Sequence, residues 1–105
     1  SAVLALAQSV AGSSVPAMAV PDDALKEAGI SSWMGPSSLP LWIDDPSWRY
    51  FATLDTTRAR ARGLDTRPLE QTLTAAFNYE QERSEPRHTG LTNDDEHRLR
   101  NLSEA

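Results

Sequence analysis

At 105 residues the chain forms one small domain at most, with a core that would be marginal standing alone. A net charge of −5 argues against a general phosphate-binding surface, so no nucleic-acid partner is expected, and a single lysine, Lys26, weakens any lysine-based mechanism. With no cysteine there is no disulfide frame, no thiolate nucleophile and no Cys-bound metal, while 7 Pro and 5 Gly call for many turns.

The first twenty residues, SAVLALAQSVAGSSVPAMAV, are small, apolar and uncharged. Ala17-Met18-Ala19 has the A-x-A form of a signal-peptidase site, but the basic region that should precede it is missing. The stretch reads instead as a helix followed by a strand. Val3, Leu4, Leu6, Ala7, Val10 and Ala11 suit a helix buried over much of its circumference, with Gly12 as its stop. No cap precedes Ser1, which suggests a cut rather than a natural beginning. Val15 to Val20 suits a short strand, pushed to an edge by Pro16. Polar Gln8, Ser9, Ser13 and Ser14 interrupt the run before the ~20 apolar residues a membrane span needs, so no membrane partner is expected.

Pro21-Asp22-Asp23 opens a second helix, with Asp22 as its cap and Gly29 as its stop. From Ile30 to Ser47 the chain reads as a loop, broken by Gly35-Pro36, Ser37-Ser38, Pro40 and Pro46. This is its most aromatic region: Trp33, Leu39, Leu41, Trp42, Ile43 and Trp48 all need cover, from the domain itself, a partner or a ligand. Tyr50, Phe51 and Leu54 suit a half-buried strand. Asp55 or Thr56 then caps a short helix, Thr57 to Arg62, which Gly63 ends. Pro68 suits the first turn of a longer helix on which Leu69, Leu73, Ala76 and Phe77 form one apolar stripe. After a polar turn over Arg83 to His88, Thr92 caps a last helix. Asp94, Asp95 and Glu96 fill its first turn, and only Leu99 and Leu102 anchor it. The fold class is therefore α+β, with about four helices and two or three short strands.

The chemistry in these residues alone is sparse. Arg58 and Arg62 share a helix face, a pattern that most often marks a solvated flank. His88 and His97 beside Asp94, Asp95 and Glu96 match no metal-ligand spacing. No serine sits in G-x-S-x-G.

Three segments carry a resemblance: LPLWID (Leu39 to Asp44), LDTTRARARGLDTRPLEQTL (Leu54 to Leu73) and GLTNDDEHRLRNLSEA (Gly90 to Ala105). Together they resemble the C-terminal end of the NAD-dependent epimerase/dehydratase-like reductases, within the extended and atypical short-chain dehydrogenases. Tails of that family commonly read "lPlW", then "D-x-s-r-A-x-a-x-G-L-x-x-R-P-L-e-x-T", then "G-L-s/t". The resemblance covers roughly the last two thirds of the chain and implies that residues 1–105 are a substrate-binding lobe severed from an α/β Rossmann domain. It implies NAD or NADP in the parent enzyme, a small-molecule substrate, a cytoplasmic setting and a Rossmann domain of the same parent chain as the lobe's partner. Apolar surface left bare by the missing domain would favour homo-oligomers.

The catalytic parts of such an enzyme are absent from this sequence. A pyrophosphate-binding turn needs closely spaced glycines, and there is no G-x-G. A Tyr-x-x-x-Lys pair is also missing, since Tyr50 is followed four residues on by Leu54 and Tyr79 by Arg83, and Arg does not substitute for an ammonium there. Cofactor binding and proton transfer are thus expected upstream, and the lobe alone is expected to be inactive. For Trp33, Met34, Leu39, Leu41 and Trp42 two readings stand: core of the lobe, or lining of the substrate pocket. Leu39 to Trp42 match the first motif; Trp33 is a looser match. A rival from another class is a stand-alone interaction domain whose aromatic loop binds a protein partner.

Overall fold

Local cues place the helices of this chain. The computed structural model describes residues 1–104 and is mixed helix and strand. Its elements are α1 (Ala2–Ala11), α2 (Asp22–Glu27), β1 (Ser31–Ser32), β2 (Ser38–Leu39), α3 (Thr57–Ala61), α4 (Leu69–Glu82) and α5 (Asn93–Glu104), with a 3₁₀ turn at Pro46–Trp48. The fold class is α+β. Five α-helices are found among the described residues, each where the sequence placed one, against a total put at about four. No helix among them is long and apolar enough to cross a membrane.

Helix ends follow the expected chemistry. At Gly29, φ is 73°, a left-handed angle that side chains with a Cβ resist. It lets Gly29 N–H reach Lys26 O (3.0 Å) and Ile30 N–H reach Leu25 O (3.0 Å), closing the last turn of α2. The same pair of bonds ends α1 at Gly12 and α3 at Gly63. Ser1 is itself the cap of α1, its Oγ accepting from Leu4 N–H at 3.4 Å. Asp55, rather than Thr56, supplies the cap oxygen at α3, accepting from the amide (3.0 Å) and hydroxyl (2.6 Å) of Thr57. Asp22 is not the cap of α2: Pro21 holds that position and Asp22 lies in the first turn.

Chain contacts divide the molecule into two units: Ser1–Ala17 with Leu54–Pro86, and Met18–Thr53 with Arg87–Ala105. In the first, α1 packs on α4, but none of its residues is buried. Leu6, Ala7 and Val10 on α1 and Leu73 and Phe77 on α4 are half-buried, whereas Leu69 and Ala76 of the expected stripe are exposed. Val3 and Leu4 are also exposed, so α1 is not covered around its circumference. A helix keeps its shape mostly through packing of its apolar face, and here that packing is thin.

The second unit holds the core: Leu25, Ala28, Ile30 and Leu99, with Val20, Leu39, Trp42, Leu91 and Leu102 packed against them. α5 is thus not a weakly anchored tail; Leu99 is only 4% exposed. Its start is a reciprocal box in which Thr92 Oγ1 accepts from Asp95 N–H (3.1 Å) and Asp95 Oδ2 accepts from Thr92 N–H (2.9 Å). Arg98 donates to the other oxygen of Asp95.

Two expected strands are absent. Val15 to Val20 pairs with no neighbour, and the polar groups of Val15 go to side chains: its N–H donates to Ser13 Oγ and its carbonyl accepts from Gln8 Nε2. Tyr50 to Leu54 turns instead of extending, because Phe51 N–H bonds Trp48 O (2.9 Å) and Thr53 N–H bonds Tyr50 O (3.1 Å), carrying on the 3₁₀ turn that Pro46 starts. The observed strands lie in the stretch expected to be loop. β1 and β2 run parallel, with Ser31 opposite Ser38 and Ser32 opposite Leu39.

Asp95 makes the fold acid-sensitive. Its carboxyl is lowered to about 2, chiefly by the Thr92 amide, with the Thr92 hydroxyl, Arg98 and Ser37 adding to this against burial. A depressed folded-state value means that this stabilisation is present in full above the unfolded value near 3.8 and is lost as pH falls through about 2. Acid titration by circular dichroism should therefore show unfolding of α5 between these limits, a transition that Asp95→Asn flattens. Thr92→Ala should cost about 1 kcal/mol in urea unfolding at neutral pH.

Candidate functional site

The aromatic segment is held in place by a polar knot at its back. Ser38 is fully buried. Its hydroxyl donates to Gly35 O (2.6 Å) and accepts from Gly90 N–H (3.1 Å), while its own N–H donates to Gly90 O (3.1 Å). Thr89 Oγ1 adds a second tie, accepting from Gly35 N–H (3.1 Å) and donating to Gly35 O (3.0 Å). The Ser38 bonds satisfy groups that burial would otherwise leave costly, whereas the Thr89 bonds lie at the surface. The knot fixes the loop between β1 and β2 from behind.

In front of it the five sequence-derived candidates separate. Leu39 and Trp42 lean on the core, and Trp42 Nε1–H donates to Asp22 Oδ1 at 3.1 Å, which is where the Asp22 carboxylate is spent. Met34 and Leu41 point away from it, 67% and 86% exposed. Trp33 belongs to neither group. Its ring meets Phe51 edge-on, centroids 5.4 Å apart at 89°, and Phe51 in turn lies 6.0 Å from Trp48 at 51°.

Trp33, Ile43, Trp48 and Phe51 line an open, almost wholly apolar recess of about 280 Å³. Ile43, Trp48 and Phe51 were not singled out from sequence as site residues. Their signal was present in the density of aromatic residues, but Phe51 reads as part of a strand until the turn bonds are seen. Two backbone positions shape the recess and its rim: Trp33 has φ 70° and Leu41 φ 74°. For residues other than glycine this region costs about 1–3 kcal/mol and persists only where the surroundings enforce it. Here the enforcing bonds are Trp33 N–H to Trp42 O (3.1 Å) and Trp42 N–H to Leu39 O (3.1 Å).

Three charged residues, Asp44, Asp45 and Arg49, lie in sequence among the lining residues Ile43, Trp48 and Phe51. Asp44 and Asp45 follow Ile43 directly in sequence, and Asp44 Oδ1 accepts from Ser32 Oγ at 3.4 Å. The Ser47 amide, then the Ser47 hydroxyl, hold the Asp45 carboxyl below its usual range. The nearest cation in sequence, Arg49, lies over the ring of Tyr50, 5.1 Å from its centroid. Elsewhere, Arg58, Arg60 and Arg62 are exposed on or just beyond α3, with Arg60 Nε–H donating to Thr56 Oγ1. No group of three histidine, cysteine or acidic residues among those described is placed to hold a metal.

A second apolar opening of about 260 Å³ reaches the core itself, between Met18, Val20 and Leu25 on one side and Leu91 and Leu99 on the other. The Glu96–Arg100 ion pair (2.8 Å) sits on its rim. No protein-family model matches the chain, and neither a curated protein nor a solved structure matches it.

The split among the five candidates is measurable. Trp42→Ala should lower urea stability by about 3 kcal/mol, the lower end for a Trp-to-Ala loss because the ring is half-buried. Met34→Ala and Leu41→Ala should stay within about 0.5 kcal/mol of the native chain. Equal losses at all three positions would contradict the division between core and surface.

Proposed function

We propose that this chain is the substrate-binding C-terminal part of an NAD(P)-dependent reductase or epimerase, cytoplasmic, with hydride transfer carried out by a Rossmann domain upstream. One observation supports the reading beyond the motifs themselves. Two of the three motif segments, Leu39 to Asp44 and Gly90 to Ala105, are far apart in sequence yet share one core. Leu39, Trp42, Leu91, Leu99 and Leu102 pack together there, and the Ser38–Gly90 knot joins the segments. Motifs that recur together in sequence would be expected to meet in space if they serve one lobe.

In this reading Leu39 and Trp42 are the support and Trp33 is the contact residue. The lobe selects the substrate with the apolar recess and keeps water from the reacting carbon, while the cofactor supplies the hydride. NAD or NADP is held by the upstream domain, since these residues offer no glycine-rich phosphate turn.

The exposure of Trp33, Trp48 and Phe51, each between 41% and 55%, also favours a second reading, a self-sufficient interaction domain that covers these rings with a protein partner. The two differ in the gene. The reductase reading expects, upstream of Ser1, a strand-turn-helix with G-x-x-G-x-x-G spacing and a Tyr-x-x-x-Lys pair. A start codon directly before Ser1 supports the interaction domain instead. In activity, the chain alone should consume no NADPH with a panel of carbonyl substrates. Joined to its upstream domain it should turn one over, and Trp33→Ala should raise the substrate KM about tenfold, roughly 1.4 kcal/mol of lost binding, with the cofactor KM unchanged. Turnover by the isolated chain, or an unmoved substrate KM in the joined enzyme, would remove this assignment.

A further inference from the structure

The recess at Trp33 has a composition that selects among ligands. Its walls are three aromatic rings and one aliphatic side chain. Rings inclined at 89° and 51° to one another form a corner and not a stack, so they present both faces and edges to whatever enters. Aromatic faces carry negative quadrupole charge and attract cations, most strongly at tryptophan. The lining residues include no carboxylate, amide or hydroxyl side chain. A primary ammonium, which needs three hydrogen-bond acceptors, is poorly served there. An ammonium clad in methyl groups needs none.

Two of the three charged residues that lie in sequence between Ile43 and Phe51 are acidic. Asp44 and Asp45 follow Ile43 in sequence, and the two bonds from Ser47 to Asp45 favour its charged form. The one cation of this segment, Arg49, is turned onto Tyr50. Trp33 is also held in a costly left-handed backbone conformation, its N–H bonded to Trp42 O, which sets where its side chain leaves the loop.

We propose that the corner formed by Trp33, Trp48 and Phe51 binds a quaternary or fully alkylated ammonium group. The inference rests on the reading of this recess as the substrate contact, and it narrows that substrate to a molecule bearing such a cation next to its reacting carbonyl or alcohol portion. It makes no use of the hydride-transfer step.

The test uses the chain as it stands, with choline and its uncharged isostere 3,3-dimethylbutan-1-ol as probes. Protons held over the face of an aromatic ring, where a cation binds, move upfield, so the N-methyl signal of choline reports occupancy of the faces. We expect a saturable upfield shift, with binding at least about tenfold tighter than for the alcohol. Trp33→Leu and Phe51→Leu should each weaken choline by about tenfold, while Trp33→Phe, which keeps a ring, retains most of the binding; circular dichroism confirms that each variant is folded. The Asp44→Asn, Asp45→Asn double variant should weaken choline and leave the alcohol unchanged. Equal binding of the two probes would overturn the cation assignment and leave the recess as an apolar substrate contact. Binding of neither would overturn both the cation and the use of this recess for substrate. A folded Trp33→Leu chain that binds choline as the native one does would place the site elsewhere and also overturn the proposal.

Discussion

The buried hydroxyl of Ser38 is the constraint on which the second unit depends. It sits where two stretches of chain distant in sequence meet, and it bonds a carbonyl in one and an amide in the other. Without it, the Gly90 amide would lose its partner, at about 1–3 kcal/mol for a polar group left unpaired in a buried place, while the Gly35 carbonyl would keep only its bond from Thr89. From this joint the rest of the unit follows. Leu39, the next residue, is delivered to the core, Leu91 arrives from the other side, and Thr92 is left in place to cap α5.

Once α5 is seated, Leu99 fills the space between α2 and Ile30, and Trp42 closes over it with its indole N–H on Asp22. The aromatic recess is a consequence of that closure. With Trp42 turned inward, the bond from Trp33 N–H to Trp42 O forces Trp33 outward through a left-handed backbone angle. The 3₁₀ turn that Asp45 caps brings Trp48 and Phe51 to meet it. A core contact and a surface site are thus the two sides of one short loop.

Features set by neighbours in sequence were legible in the sequence. Gly12, Gly29 and Gly63 stop helices because the closing bonds span only five residues, and Thr92 with Asp95 forms a cap because the two are three apart. What depends on distant partners was not legible. Val15 to Val20 has the composition of a strand but no strand to pair with, and Ser31 and Ser38 pair although nothing in their composition favours extended structure. Leu99 was legible as an anchor of α5, but its full burial was not, because the cover comes from α2 and Ile30. Among the candidate site residues, the aromatic density pointed to the stretch that holds the recess, but only the turn bonds at Trp48 and Tyr50 show that Trp33, Trp48 and Phe51 share it while Met34 and Leu41 do not.

The first unit lacks such a joint, and its helices keep their apolar side chains only half covered. This contrast makes a direct test possible through amide hydrogen exchange in the intact chain. If the Ser38–Gly90 joint organises the second unit, the amides of Ser38, Gly90 and Leu99 should exchange together, at the slowest rate in the molecule and well below those of α1 and α4. Exchange of the Ser38 and Gly90 amides at the rate of an open loop, while Leu99 stays protected, would show that the core stands without the joint and would contradict the account.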